Sequence, residues 1–306
     1  MSRFAVSLVV VALALMAGPG RAAEASAGRL TSADLFDLQY ASDVEIAPDG
    51  ERVIYVRRIN DVMKDVTRSN IWMVDADGDD HRPLLSGRDN YSSPRFSPDG
   101  DRIAYVARDG NGKTQLFVRW MDTGATAVVT GLAESPSSMA WSPDGKHIAF
   151  SMHVPAEKPA LAKPPENPEG AEWAPEPVVI DSVVYRFDGR GYLDPGFSHV
   201  FVVPAEGGAS RQLTSGDFNH DGRLAWMPDG SSIVFSANRD DNWQYERDES
   251  DLYRVSLDGE IARLTDFPGQ ESNPSVSPDG ERIAFERDDH RSRQYSIETI
   301  AVVYAD

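Results

Sequence analysis

The chain has no cysteine among its 306 residues, which excludes disulfides, thiolate metal ligands and a cysteine nucleophile. Positive charge is scarce: 30 Lys and Arg face 49 Asp and Glu, a formal net charge of -19. A surface of that sign repels phosphate backbones, and no basic cluster offsets it, so nucleic acid is not an expected partner. The six histidines (81, 147, 153, 199, 220 and 290) form neither a His-x-x-x-His nor a His-Glu pattern. A zinc enzyme is therefore not expected, and nothing in the sequence calls for a cofactor. Long apolar runs are missing too, apart from Phe4 to Ala17. That run falls short of the roughly 20 residues that span a bilayer. Arg3 precedes it, Gly18-Pro19-Gly20 breaks it, and small residues follow up to Ala22 and Ala25. This is the layout of a secretory signal peptide. The expectation is a signal peptide over 1–22 and a domain over 23–306. The mature protein would be periplasmic or secreted, with no membrane attachment after cleavage.

What the sequence does have is repetition. "APDGERVIY", "SPDGDRIAY", "SPDGKHIAF", "MPDGSSIVF" and "SPDGERIAF" place prolines at 48, 98, 143, 228 and 278, so the spacings are 50, 45, 85 and 50 residues. A period near 45 to 50 marks a β-propeller with one four-stranded blade per repeat. In each copy Pro presets φ for a type I turn, Asp bonds back to the backbone, and Gly takes the left-handed conformation. Two residues before each Pro stands a large apolar group: Ile46, Phe96, Trp141, Trp226 or Val276. After the turn comes a period-two strand pattern, as in Ile103/Tyr105 and Ile148/Phe150, often with Ala between. A third strand follows ("NIWMV", "QLFVR", "HVFVV", "DLYRV"), then a second glycine turn and a short outer strand ("RPLL", "TAVV", "RQLT", "ARLT"). The fold class predicted is all-β: a β-propeller of four-stranded antiparallel blades, about five present.

The 85-residue gap is one blade with an insert. Residues 154–178 hold seven of the 20 prolines and read as an extended loop leaving the third blade, because proline cannot serve a central ladder. Near the start, "LTSADLFDLQYASD" reads as a short helix capped by Thr31 and Asp34, with Leu35 and Leu38 on one face. At the other end "ETIAVVYAD" aligns with "SNIWMVDAD", and Asp306 falls where the second turn begins, so the last blade is incomplete. Two explanations stay open: a fragment of a longer protein, or a ring of five blades in which Arg29-Leu30-Thr31 supplies the missing outer strand.

From about Leu30 onward the sequence resembles the N-terminal propeller of prolyl oligopeptidase family serine peptidases, in the branch of acylaminoacyl peptidases and bacterial dipeptidyl peptidases. The opening "LTSADLFDLQYASDVEIAPDG", the block "VVYRFDGRGYLDPGFSHVFVVPAEGGASRQLTSGDF" and "SANRDDNW" carry the resemblance. The turn motif also resembles TolB-like periplasmic propellers, which leaves a non-enzymatic propeller binding a protein or ligand as the alternative. The family resemblance implies a C-terminal α/β-hydrolase domain with a Ser-Asp-His triad. It also implies that short peptides reach that domain past the propeller and its tunnel.

No catalytic, cofactor or metal residue is assigned within these residues. Gly-x-Ser-x-Gly on a strand-to-helix elbow is the signature of a hydrolase nucleophile. "GFSHV" with Ser198 and "GASRQ" with Ser210 are half-matches beside strands, so both serines read as turn and edge residues. Ser198 and His199 are adjacent on a strand and point to opposite faces. "DFNHDG", from Asp217 to Asp221 and Gly222, begins like a calcium loop, but its twelfth position is Pro228 rather than Glu. It reads as a polar loop between blades. "RDDNWQYERDESD" from Arg239 reads as a charged inter-strand loop, with Trp243 and Tyr245 as candidate contacts to peptide.

Overall fold

The computed structural model describes residues 30–162, 165–174, 177–220, 222–288 and 297–305. The proposed signal peptide, Arg29, Asp221 and Asp306 lie outside the described residues. A single turn of 3-10 helix, Ser32–Phe36, opens the chain. The Asp34 carboxylate accepts from the Thr31 backbone N–H at 2.5 Å and from its hydroxyl at 3.0 Å, so the expected cap is present. Leu35 and Leu38 are nevertheless more than half exposed, so the face they were expected to share is not buried. The helix is also shorter than expected, because Gln39 already starts a strand.

Five blades follow among the described residues. The first contains β1 (Gln39–Ile46), β2 (Arg52–Asp61), β3 (Val66–Asp75) and β4 (Arg82–Leu85). The second contains β5 (Ser92–Phe96), β6 (Arg102–Arg108), β7 (Thr114–Trp120) and β8 (Thr126–Val128). The third begins with β9 (Pro136–Trp141) and β10 (His147–Pro155). A separate hairpin, β11 (Arg186–Phe187) and β12 (Gly191–Tyr192), interrupts it before β13 (Gly196–Pro204) and β14 (Arg211–Gln212). The fourth contains β15 (Ala225–Trp226), β16 (Ser232–Ala237), β17 (Asp251–Ser256) and β18 (Ile261–Arg263). The fifth contains β19 (Glu271–Val276), β20 (Arg282–Asp288) and β21 (Glu298–Tyr304). Every blade is an antiparallel meander, four strands in the first four and three in the last. Leu30 is exposed and outside any strand, and Thr31 caps the helix, so neither residue supplies a fourth strand to the last blade.

The repeated turn does what its residues dictate. In all five copies the glycine N–H closes the turn on the carbonyl of the residue before Pro, at 2.8–2.9 Å. Each turn Asp accepts from the backbone N–H two residues on, as Asp49 does from Glu51 at 2.9 Å and Asp279 from Glu281 at 3.0 Å. The turn glycines have φ between 66° and 77°, where a side chain is disfavoured. A second device was not anticipated. Asp43, Ser93, Ser138 and Asn273, each five residues before the turn Pro, have φ of 48–53°. They mark a bulge in the first strand of their blades, seen as register shifts between Ser42 and Glu45, Ser92 and Arg95, and Ser272 and Ser275. Small polar residues tolerate this conformation best after glycine.

Packing runs between blades. Ile103 and Tyr105 of β6 join Ile54 and Val56 of the first blade. Their neighbours Ala104 and Val106 join Ile148 and Phe150 of the third. Ala149 packs with Phe235, and Val234 with Ile283 and Phe285. Both faces of an inner blade are thus buried, which is why β6 shows little burial alternation and why small Ala recurs where sheets approach. The two terminal blades differ. Ile46 is 64% exposed, whereas its counterparts Phe96 and Trp141 are 5% and 9% exposed. Ile300, Val302 and Tyr304 on β21 are likewise exposed. The apolar group before the turn is buried only where another blade covers it.

Candidate functional site

The strongest candidate site is a cavity of about 760 Å³ where the insert of the third blade meets the fourth and fifth. Its walls are the residues just after β10, the start of β13, the end of β16 and the start of β19, so it opens on the face opposite the repeated turns. β10 runs to Pro155 and pairs with β13 as far as Gly196. The chain therefore leaves the blade after Pro155, and 179–195 return across its end instead of entering the sheet.

Two contacts from the insert and one from the start of β13 hold this side of the cavity against the loop from Arg239 to Ser250. The Val183 N–H donates to Gln244 Oε1 at 2.7 Å. The Arg247 guanidinium lies 5.5 Å from the centre of the Phe187 ring. Phe197 meets Trp243 edge to face at 5.9 Å. The segment from Arg239, read from the sequence as a charged inter-strand loop, brings one of its two candidate peptide contacts to the cavity: Trp243 lines it, whereas Tyr245 is 76% exposed and outside the lining. Tyr185, Phe187 and Tyr192 of the insert also line it. Composition had flagged the proline stretch, but the aromatic residues after it carry the wall.

Beneath the cavity a buried polar cluster joins the third and fourth blades. His220 is fully buried; its Nδ1 donates to the Ser198 carbonyl at 3.2 Å and its Nε2 accepts from Arg239. Burial, Arg239 and His199 lower the His220 pKa to about 4. His199 is depressed by burial first and then by Arg239. Arg239 also lies over the rings of Phe218 at 4.9 Å and Tyr253 at 5.7 Å. The contact between the neutral His220 ring and the Arg239 guanidinium fixes the root of the loop that walls the cavity.

A second buried cluster lies between the fourth and fifth blades. Glu271, fully buried, accepts from the Thr265 hydroxyl, while Thr265 accepts the Leu252 N–H at 2.8 Å. Asp251 pairs with Arg263 at 2.7 Å. Burial raises the pKa of both carboxyls above the usual range.

The half-matched serines are not brought to catalytic partners among the described residues. The Ser198 N–H donates to Asn219 Oδ1 at 2.9 Å, while His199 Nδ1 faces the Thr214 hydroxyl at 3.3 Å on the other side of the strand. Ser198 sits opposite His153 across the ladder, but the His153 ring contacts the Pro195 carbonyl. Ser210 stands just before β14 with a strand, not a helix, after it. Asn219, a candidate ligand of the calcium-loop reading, has its Oδ1 engaged by Ser198, and Asp221 lies outside the described residues. No helix among the described residues is long and apolar enough to cross a membrane.

Two family models match: the TolB beta propeller domain over residues 36–158 and the dipeptidyl peptidase IV N-terminal region over 186–292. The uncharacterized peptidase YuxL of Bacillus subtilis is 29% identical over 209 residues, 68% of this chain and 31% of its own length. Dipeptidyl-peptidase 5 of Porphyromonas endodontalis is 24% identical over 283 residues, 86% of this chain and 39% of its own. Among solved structures, the acylaminoacyl peptidase of Pyrococcus horikoshii superposes with a TM-score of 0.66 at 20% identity, covering 89% of this chain and 39% of that one. The TolB protein of Acinetobacter baumannii superposes at 0.50 and 17% identity, covering 87% and 66%. The chain spans 31% and 39% of the lengths of the two curated relatives. It is a β-propeller with TolB-like repeats that resembles the N-terminal propellers of prolyl oligopeptidase family serine peptidases.

Proposed function

We propose that this chain is the substrate-gating propeller portion of an exported serine peptidase acting on short peptides, in the manner of dipeptidyl or acylaminoacyl peptidases. In this reading the α/β-hydrolase domain with its Ser-Asp-His triad lies outside these 306 residues. The propeller's own part is binding and orientation. Peptide enters on the face where the insert and the Arg239–Ser250 loop enclose the cavity, and an extended polypeptide finds polar edges and aromatic walls there. No residue of this chain is given a bond-making role.

The observation that carries the reading is the match of residues 186–292, from the hairpin after the proline stretch into the fifth blade, to the dipeptidyl peptidase IV N-terminal region. A TolB-like propeller without enzymatic activity is the competing reading, supported by the match over 36–158. The test is fluorophosphonate labelling and dipeptidyl-naphthylamide hydrolysis by the protein expressed from its complete reading frame. The peptidase reading expects both. A complete protein that neither labels nor hydrolyses any member of a broad dipeptide panel would leave the TolB-like reading in its place.

A further inference from the structure

Several aromatic rings around the cavity are only partly covered. Tyr185, Phe187 and Tyr192 of the insert are 42%, 41% and 59% exposed although all three line the cavity. Tyr185 and Tyr192 pack at 6.2 Å between centroids, and Phe197 and Trp243 form the edge-to-face pair opposite. Aromatic surface left in water around a cavity of this size gains by taking a flat apolar group. Arg247 adds a second preference. It lines the same wall, lies over Phe187 and makes no ion pair among the described residues. A guanidinium with one face on a ring has its other face free for a second ring, a contact that aliphatic side chains cannot return.

We propose that this cavity is a subsite for the aromatic side chain of a short peptide, with the ring set among Tyr185, Tyr192 and Trp243 and against the guanidinium of Arg247. This deepens the peptide-gating reading by naming its substrate class. It is read out by binding alone, so it stands or falls apart from any peptidase activity.

The probe is glycyl-p-benzoylphenylalanine, photocrosslinked to the protein from its complete reading frame and mapped by mass spectrometry. Crosslinks are expected within residues 178–197 and 239–250, with Gly-Phe competing at least fivefold better than Gly-Leu and Gly-Gly not competing. Tyr192→Ala should lower the crosslink at these positions at least fivefold, and Tyr192→Phe should restore it. Tyr192 is largely exposed, so unchanged circular dichroism is expected of both variants. Arg247→Gln should reduce the advantage of Gly-Phe over Gly-Leu to less than twofold. Crosslinks confined to other segments, equal competition by Gly-Leu, or indifference to Tyr192→Ala would each overturn the proposal. Fluorophosphonate labelling of the same samples separates these outcomes from failure of the peptidase reading.

Discussion

Arg102, on the second strand of one blade, donates to the carbonyl of Gly145 in the turn of the next at 3.0 Å. The same guanidinium lies 5.0 Å from the centre of the Trp141 ring, and Trp141 in turn donates its indole N–H to the Arg95 carbonyl at 3.0 Å. Backbone turn, cation and aromatic ring thus lock two sheets at their inner ends. A Cβ on Gly145 would lie 3.1 Å from Arg102 Nη2 and 3.7 Å from Pro98, at a φ of 66°.

Gly145→Ala is therefore expected to cost about 1–2 kcal/mol from the left-handed backbone alone, more if the Arg102 contact is displaced. Arg102→Ala should cost about 1–3 kcal/mol through loss of a charged hydrogen bond and a ring contact. Arg282 holds the same repeat position but its nearest acid is Asp279 at 4.0 Å, so Arg282→Ala should be close to neutral. Urea unfolding of the three variants checks this, and equal losses for Arg102 and Arg282 would refute the lock.

Val118 and Val302 also share a repeat position, each opposite the Ala between the two bulky residues of the second strand. Val118 is fully buried by the next blade and Val302 is 59% exposed. Truncation to Ala should cost about 2 kcal/mol at Val118 and stay within about 0.5 kcal/mol at Val302 in this 306-residue chain. Denaturation midpoints at constant m-value measure the difference.

His220 makes stability depend on pH. Its folded pKa of about 4 lies below the ordinary 6.5, so the unfolded chain binds a proton that the folded one refuses. The contribution is complete above 6.5 and is lost as pH falls towards about 4, by up to ~3 kcal/mol. His220→Gln keeps an acceptor for Arg239 without a titrating ring. The stability gap between wild type and variant should narrow on acidification, and a gap that is flat from neutral pH down to 4 would contradict the assignment.

Glu271 works in the opposite direction. Its pKa is raised by burial, against the Thr265 hydrogen bond, so the folded chain holds the proton more tightly. Its stabilising effect is present below the ordinary 4.5 and declines as pH rises through the higher folded value. Glu271→Gln imitates the protonated form, so the variant should gain on wild type as pH rises from 4 to 8. Thermal melts across that range decide it, and a loss at neutral pH would mean that the ionised carboxylate is needed.

The sequence by itself determined the blade. Pro-Asp-Gly turns and period-two strands act over a few residues, so their geometry is written locally, and all five turns close as their residues require. It also marked the place of the insert, since proline cannot enter a ladder. The first-strand bulges left a weaker signal, Asp, Ser or Asn five residues before four of the five turn prolines, which only the positive φ values made readable. The tertiary structure alone decided which apolar groups are covered and where a site forms. Ile46 and Phe96 occupy the same position in the repeat, but only Phe96 has a blade in front of it. Phe187 meets Arg247, Val183 meets Gln244, and Arg239 meets His220 across long sequence separations. Such meetings depend on how the blades stack and where the insert folds back, and no local pattern of residue types encodes them.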